Sequence, residues 1–82
     1  MSRVLTLLGA PDCHLCHAMR GVVAAAIAGR DIELIERNVR DDPELLRRYR
    51  LEIPLLFLEG EEIARHRVTG AQLEAKLGRA GI

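Results

Sequence analysis

Two cysteines, Cys13 and Cys16, are separated by two residues, and a histidine directly follows each of them in the stretch "CHLCH". They are the only cysteines in the chain. A pair at this spacing is typical of three kinds of chemistry, namely thiol–disulfide exchange, metal binding and covalent attachment of haem. For exchange the reactive form is the thiolate, whereas a free cysteine, with a pKa of about 8.5, is mostly protonated at neutral pH. The surroundings of the pair therefore decide what it can do.

The residues around the pair predict a strand followed by a helix. The apolar run 3–8 has the length of a strand and ends at the turn residues 9–12. Apolar residues then recur at helical spacing from about residue 14 to 28, and Gly29 closes this stretch. The cysteine pair therefore falls at the turn from strand to helix.

This position favours a reactive sulfur at Cys13, the first cysteine of the pair. Cys13 lies at or just before the start of the helix, where unpaired backbone N–H groups and the helix dipole favour negative charge. Protonated His14 would stabilise a thiolate further, so we expect the pKa of Cys13 to be lowered, although a nearby Asp12 carboxylate would oppose this. Cys16 follows nearly one turn later, within bridging reach and more buried. The arrangement predicts that Cys13 attacks a substrate disulfide and that Cys16 then resolves the mixed disulfide.

The rest of the chain completes a small α/β pattern. A second strand is predicted over 31–39, and a short helix over 41–50 opens with an aspartate cap and a proline. Residues 53–68 predict a hairpin around a turn at 59–61. The stretch 69–78 begins with a capping box and ends in a glycine, which indicates a last helix.

The element order β-α-β-α-β-β-α predicts one domain over residues 1–82 with a four-stranded mixed sheet. The first half forms a parallel pair through a right-handed crossover helix, and the hairpin adds antiparallel strands. Strands 1 and 3 are apolar without alternation, so helices must cover both faces of the sheet. Chemistry in such sheets gathers at the carboxyl ends of the parallel strands, where the cysteine pair lies.

Composition narrows the class of partner. The 82 residues include 12 basic and 12 acidic ones, which argues against a nucleic-acid or anionic-membrane partner. No apolar run reaches the roughly 18–20 residues of a membrane span, and the apolar stretch near the N-terminus is too short for a signal peptide. We expect a cytoplasmic monomer, and in a reducing cytoplasm a lone cysteine pair is catalytic or metal-binding rather than structural.

Two alternatives use the same residues. Haem attachment would make His17 an axial ligand, but the absence of an export signal disfavours it, and Met19 is too near His17 to bind the opposite haem face. A zinc site would have to take its ligands from within residues 13–17 or add His66, the only other histidine. A zinc or iron–sulfur site bridging two chains, and a non-catalytic binding domain, stay open as alternatives.

The combined motifs resemble the glutaredoxin family of the thioredoxin superfamily, in particular its small bacterial group. The resemblance covers nearly the whole chain: strand 1, "CHLC" opening helix 1, the stretch "DDPELLRRYRLEIPLLFLEGEE", and a last helix. It implies a thioredoxin fold and a thiol–disulfide oxidoreductase, with Cys13 as nucleophile and Cys16 as resolving cysteine. It also implies a cis peptide bond before Pro54, packed against the pair, with the backbone of Ile53 pairing with an extended substrate.

The substrate implied by this resemblance is a disulfide in a protein or a small thiol, and no cofactor is implied beyond the redox-active disulfide. We expect it to contact Pro11, Asp12, Ile53, Pro54 and Thr69. Glutathione is a candidate co-substrate, although Ala10 stands where typical glutaredoxins have lysine, and "VTGAQL" stands where they have a Gly-Gly pair and an aspartate. Thioredoxins carry a tryptophan and a buried acid where this chain has Asp12 and Leu7.

Overall fold

The strands and helices follow one another in the predicted order within residues 3–82, the part of the chain that the computed structural model describes. The strands are β1 (Arg3–Gly9), β2 (Ile32–Asn38), β3 (Leu55–Leu58) and β4 (Glu61–Arg65). The helices are α1 (His14–Ile27), α2 (Pro43–Tyr49) and α3 (Gly70–Arg79). The four strands lie in the order β2-β1-β3-β4, with β1 parallel to β2 and antiparallel to β3, and β4 antiparallel to β3. The predicted α/β fold with a mixed sheet is confirmed.

Apolar side chains cover both faces of the sheet, as the unbroken apolar runs predict. On one face, Leu5 and Leu56 pack with Met19 of α1 and Leu73 of α3, all at most 2% exposed. On the other face, a second cluster consists of Leu8, Ala10, Val39 and Leu55. Half-buried residues of α2 pack against this second cluster, so α2 lies on the face opposite to α1 and α3.

Local capping signals account for the helix starts. The Asp42 carboxylate accepts the backbone N–H of Glu44 at 2.9 Å, and Pro43 occupies the first turn of α2. Thr69 and Gln72 form the predicted capping box at the start of α3, with reciprocal hydrogen bonds of 3.1 and 3.0 Å. Both helices therefore begin where the sequence predicts.

The predicted end of α3 is wrong by one residue. The helix continues through Gly78 to Arg79, and the Ala80 N–H still donates to the carbonyls of Leu77 and Lys76. The left-handed glycine that follows the helix is Gly81, with a φ of 80°.

β2 is shorter than the predicted strand 31–39. After Asn38 the chain enters a short 3₁₀ turn (Val39–Asp41), and the Asn38 side chain accepts the backbone N–H of Arg40 at 2.9 Å. Val39 is 1% exposed because the turn directs it into the second apolar cluster. Burial of this valine ends the strand earlier than its apolar pattern indicates.

The predicted hairpin joins β3 and β4 through Glu59 and Gly60. Both turn residues have positive φ, 50° and 84°, as a tight turn between antiparallel strands requires. Among residues 3–82 no helix combines the length and the apolar character needed to cross a bilayer.

Candidate functional site

The two cysteines are joined in a disulfide at the start of α1. Their Cα atoms are 5.2 Å apart, and Cys13 is the N-cap residue of the helix. The Sγ atom of Cys13 accepts the backbone N–H of Cys16 at 3.2 Å, in the way a capping side chain does. Cys13 is half-buried, whereas Cys16 is only 5% exposed. The structure therefore places the sequence-predicted nucleophile where a substrate reaches it more easily than the second cysteine.

A tight turn carries the chain from β1 into this helix start. The N–H of Cys13 donates to the Ala10 carbonyl at 3.3 Å, and the Cys13 carbonyl accepts the N–H of His17 at 3.2 Å. Ala10 is buried in the second apolar cluster, against which Cys13 also packs. The end of β1 and the first turn of α1 thus hold Cys13 from both sides.

The two histidines of "CHLCH" have different surroundings. His14 is exposed in the first turn of α1. His17 donates from Nε2 to the carbonyl oxygen of Pro11 at 2.9 Å, which ties α1 to the turn that precedes it. Sequence reasoning considered His17 as a metal or haem ligand and missed this contact, because a bond to a carbonyl six residues earlier depends on the shape of the turn.

Asp12, next to Cys13 in the chain, is paired with Arg40. One guanidinium nitrogen of Arg40, Nη2, donates to both carboxylate oxygens, at 2.9 and 3.0 Å. The hydrogen bond from Arg40, together with a backbone hydrogen bond at Asp12, lowers the pKa of the Asp12 carboxyl. Asp12 therefore stays ionised at neutral pH, but a positive charge lies beside it. The sequence places Asp12 near the pair and gives no signal for Arg40.

Pro54 is buried, and the Ile53–Pro54 peptide bond is cis, the isomer that the family resemblance implies. Ile53 and Cys13 pack against the same apolar cluster, which brings the segment before β3 to the cysteine turn. The Pro54 carbonyl accepts the backbone N–H of His66 at 2.7 Å, so the residue after β4 fastens this segment.

Charged side chains also hold the segment before β3 against the end of β4. A single carboxylate oxygen of Glu52 lies 3.2 Å from Nη1 of Arg65 and 3.1 Å from Nε2 of His66. Arg65 also makes two hydrogen bonds to Glu62, at 2.8 and 2.7 Å, and these lower the pKa of the Glu62 carboxyl. Sequence reasoning missed this network, which links residue 52 to the end of β4.

Thr69 lies directly before the last helix. It is exposed at the N-cap of α3, and it lines an open groove of about 400 Å³ together with Leu15, which stands between the two cysteines. The groove also contains His66 and Arg67. Pro11 and Asp12 thus lie on the turn before Cys13, and Ile53 packs against the same apolar cluster as Cys13. Thr69 shares a groove with Leu15, and neither cysteine lines that groove.

A cleft of about 290 Å³ reaches the buried cysteine from the side of β2. Cys16, Gly9 and His17 line it together with Arg20 and Glu36, whose side chains form an ion pair at 2.6 Å. Within residues 3–82 no three His, Cys, Asp or Glu side chains come together as metal ligands would.

Known proteins resemble this chain in sequence and fold. Residues 4–78 match the family described as "Glutaredoxin-like domain (DUF836)". Target protein XcR50 from X. campestris is 32% identical, with a TM-score of 0.77 over 92% of this chain and 96% of that one. Protein Ne2328 from Nitrosomonas europaea is 26% identical, with a TM-score of 0.77 over 93% of this chain and 92% of that one. No curated protein matches the chain.

A more distant likeness concerns the fold alone. Thioredoxin-2, described as a component of malaria parasite protein secretion machinery, is 19% identical, with a TM-score of 0.72 over 95% of this chain and 82% of that one. The fold, the paired cysteines and the family match together support a redox role. The chain belongs to the glutaredoxin-like domain family (DUF836) and has a thioredoxin-like fold.

Proposed function

We propose that the protein is a thiol–disulfide oxidoreductase that uses Cys13 and Cys16 as a dithiol–disulfide couple. The observation that carries this proposal is the unequal setting of the two sulfurs. Cys13 is half-buried and caps α1 with its sulfur, whereas Cys16 is 5% exposed and lies within bonding reach. A two-step exchange requires an attacking sulfur that the substrate can reach, here Cys13, and a second sulfur that is less accessible, here Cys16.

In the first step, the Cys13 thiolate attacks one sulfur of a substrate disulfide. The substrate S–S bond breaks, a mixed disulfide forms, and the departing sulfur leaves as a thiolate that takes up a proton. In the second step, the Cys16 thiol loses its proton and attacks the Cys13 sulfur. The mixed disulfide breaks and the second substrate sulfur leaves and is protonated, so the substrate has gained two electrons that the couple has lost.

Backbone and side chains near Cys13 support its role as the attacking sulfur. The N–H of Cys16, which donates to the Cys13 sulfur at 3.2 Å, favours a negative charge there. The start of the α1 dipole acts in the same direction. Arg40 offsets the opposing charge of Asp12, since its guanidinium bridges both carboxylate oxygens.

The substrate is a disulfide in a protein or a small thiol. An extended substrate chain would lie along the backbone of Ile53, beside Cys13, with Thr69 and the turn residues Pro11 and Asp12 at its margins. Glutathione is the candidate co-substrate that returns the couple to the dithiol form in the cytoplasm. Each turnover then oxidises two glutathione thiols to one glutathione disulfide.

Single-cysteine variants test the assignment of roles. Purified wild type, Cys13→Ser and Cys16→Ser are given a fluorophore-labelled peptide disulfide, with glutathione as reductant. We expect Cys13→Ser to lose peptide reduction and Cys16→Ser to accumulate a mixed disulfide on Cys13, visible by mass spectrometry. Full activity of Cys13→Ser, or a mixed disulfide on Cys16 instead, would overturn the assignment.

A metal analysis of the untreated wild-type protein tests the alternative. An active preparation without stoichiometric zinc or iron supports the redox function. Near-stoichiometric metal that is lost together with either cysteine would favour a metal site on the same fold.

A further inference from the structure

The buried cysteine packs against a glycine of β1. A Cβ atom built on Gly9 would lie 2.8 Å from the Sγ of Cys16 and 3.1 Å from its Cβ. Ordinary contacts between such atoms begin at about 3.5 Å. The sulfur of Cys16 therefore occupies space that any side chain at position 9 would take.

The backbone alone does not require glycine at this position. Gly9 is a regular residue of β1 in parallel register with Asn38, and its φ lies outside the left-handed region. Glycine inside a strand weakens the strand and often marks a close approach of another group. Here the group that approaches is the sulfur of Cys16.

The close approach has different consequences in the two redox states. In the disulfide, the Cys16 sulfur is bonded both to its own Cβ and to the Cys13 sulfur, so it cannot turn away from position 9. In the dithiol, the same side chain can rotate among its staggered rotamers. A Cβ at position 9 would therefore oppose the disulfide more strongly than the dithiol.

We propose that Gly9 is a positioning residue that keeps space for the Cys16 sulfur in the disulfide and thereby sets the redox equilibrium of the couple. This inference rests on the proposed function, since it assigns a role within the same exchange. The relevant equilibrium is protein disulfide plus two glutathione thiols going to protein dithiol plus glutathione disulfide. Two electrons and two protons pass from glutathione to the cysteines.

The chain offers a matched control. Gly21 lies within α1, and a Cβ built on it meets no atom within 4 Å. Gly9→Ala and Gly21→Ala make the same chemical change, one against the buried sulfur and the other in open space. A helix alanine at position 21 affects the oxidised and reduced proteins alike.

The test equilibrates wild type, Gly9→Ala and Gly21→Ala in glutathione redox buffers and counts free thiols after alkylation by mass spectrometry. We expect Gly9→Ala to shift the equilibrium toward the dithiol at least tenfold, about 30 mV in reduction potential. Gly21→Ala is expected to match wild type within about twofold. Equal equilibrium constants for Gly9→Ala and Gly21→Ala would overturn the role of Gly9 and leave the proposed function standing. A wild-type protein that never forms the disulfide would overturn both the role of Gly9 and the proposed function.

Unfolding measurements keep the inference testable if Gly9→Ala folds poorly. Cys16→Ala removes the sulfur, so the double variant should fold. Gly9→Ala should then lower the free energy of unfolding less in the Cys16→Ala background than in wild type. An equal loss of stability in both backgrounds would contradict a contact with the sulfur, because Cys16→Ala removes the sulfur and keeps only the Cys16 Cβ. In the wild-type background, Gly9→Ala should lower the unfolding free energy of the oxidised protein more than that of the reduced protein.

Discussion

The guanidinium of Arg40 bridges both carboxylate oxygens of Asp12, at 2.9 and 3.0 Å, although the two residues lie 28 positions apart in the chain. Asp12 directly precedes the proposed nucleophile, Cys13. An ionised carboxylate at this place disfavours a thiolate next to it, and the paired arginine offsets that charge. The 3₁₀ turn that ends β2 therefore contributes to the electrostatics of the cysteine pair.

Removal of Arg40 is expected to weaken the nucleophile. In reduced Arg40→Gln, the unpaired Asp12 carboxylate should raise the pKa of Cys13, whereas Asp12→Asn should lower it, and the double variant should resemble wild type. Reaction of Arg40→Gln with a disulfide near neutral pH should slow by about two- to fivefold. Ultraviolet absorbance of the thiolate during titration measures the pKa values. Arg47→Gln, which removes an arginine paired with Glu44 in α2, is the control. A similar change in that variant would point to net charge rather than to the Asp12 contact.

The ion pair of Glu62 and Arg65 predicts a pH dependence of stability. The hydrogen bonds from Arg65 hold the pKa of the Glu62 carboxyl below its ordinary value of 4.5. A carboxyl whose pKa is lower in the folded state stabilises the fold above its unfolded pKa, and this contribution is lost as the pH falls through the folded value. Wild type should therefore be slightly more stable than Glu62→Gln at about pH 6. The difference in their free energies of unfolding should become smaller between about pH 5 and pH 3. Urea unfolding across this range measures it, and a gap that does not change with pH would contradict the ion pair.

Core packing predicts unequal effects for two leucines. Leu73 of α3 is fully buried beneath the sheet, whereas Leu51 is 81% exposed after α2. We expect Leu73→Ala to lower the free energy of unfolding by about 2–5 kcal/mol. Leu51→Ala should change it by less than about 0.5 kcal/mol. Chemical denaturation of both variants gives the comparison, and equal losses would show that the described core is wrong.

The backbone of His66 is in the left-handed region, with a φ of 67°. Its N–H donates to the Pro54 carbonyl, so this conformation helps to hold the segment next to Cys13. His66→Gly and His66→Val both remove the imidazole contact with Glu52, but only valine adds steric conflict. We expect the valine variant to be less stable than the glycine variant by about 1–2 kcal/mol. Thermal unfolding decides this, and a valine variant of equal stability would argue against a left-handed residue 66.

Local chemistry made much of the fold predictable. The capping signals at Asp42 and Thr69, the turn at Glu59 and the apolar periodicity of α1 each depend on residues close in the chain. The sequence also placed the cysteine pair at the turn from strand to helix, because a short apolar run and a turn precede it. These features are decided by backbone geometry within a few residues.

The contacts that refine the site were not predictable in the same way. The pairing of Asp12 with Arg40 and the approach of Cys16 to Gly9 depend on how β2 and α1 pack against β1. For Gly9 a signal existed, since a glycine at the end of an apolar strand is unusual without a neighbour that needs the space. For Arg40 there was none, because five arginines lie between residues 37 and 50 and only the 3₁₀ turn singles one out.

The strand order β2-β1-β3-β4 leaves the backbones of β2 and β4 at the two borders of the sheet. Exposed charged residues stand along both borders, Glu33, Glu36 and Arg37 on β2 and Glu61, Glu62 and Arg65 on β4. Such side chains discourage a neighbouring molecule from extending the sheet, which is a common route to fibrils. We therefore expect the charges on β2 and β4 to disfavour polymerisation of the protein through its sheet.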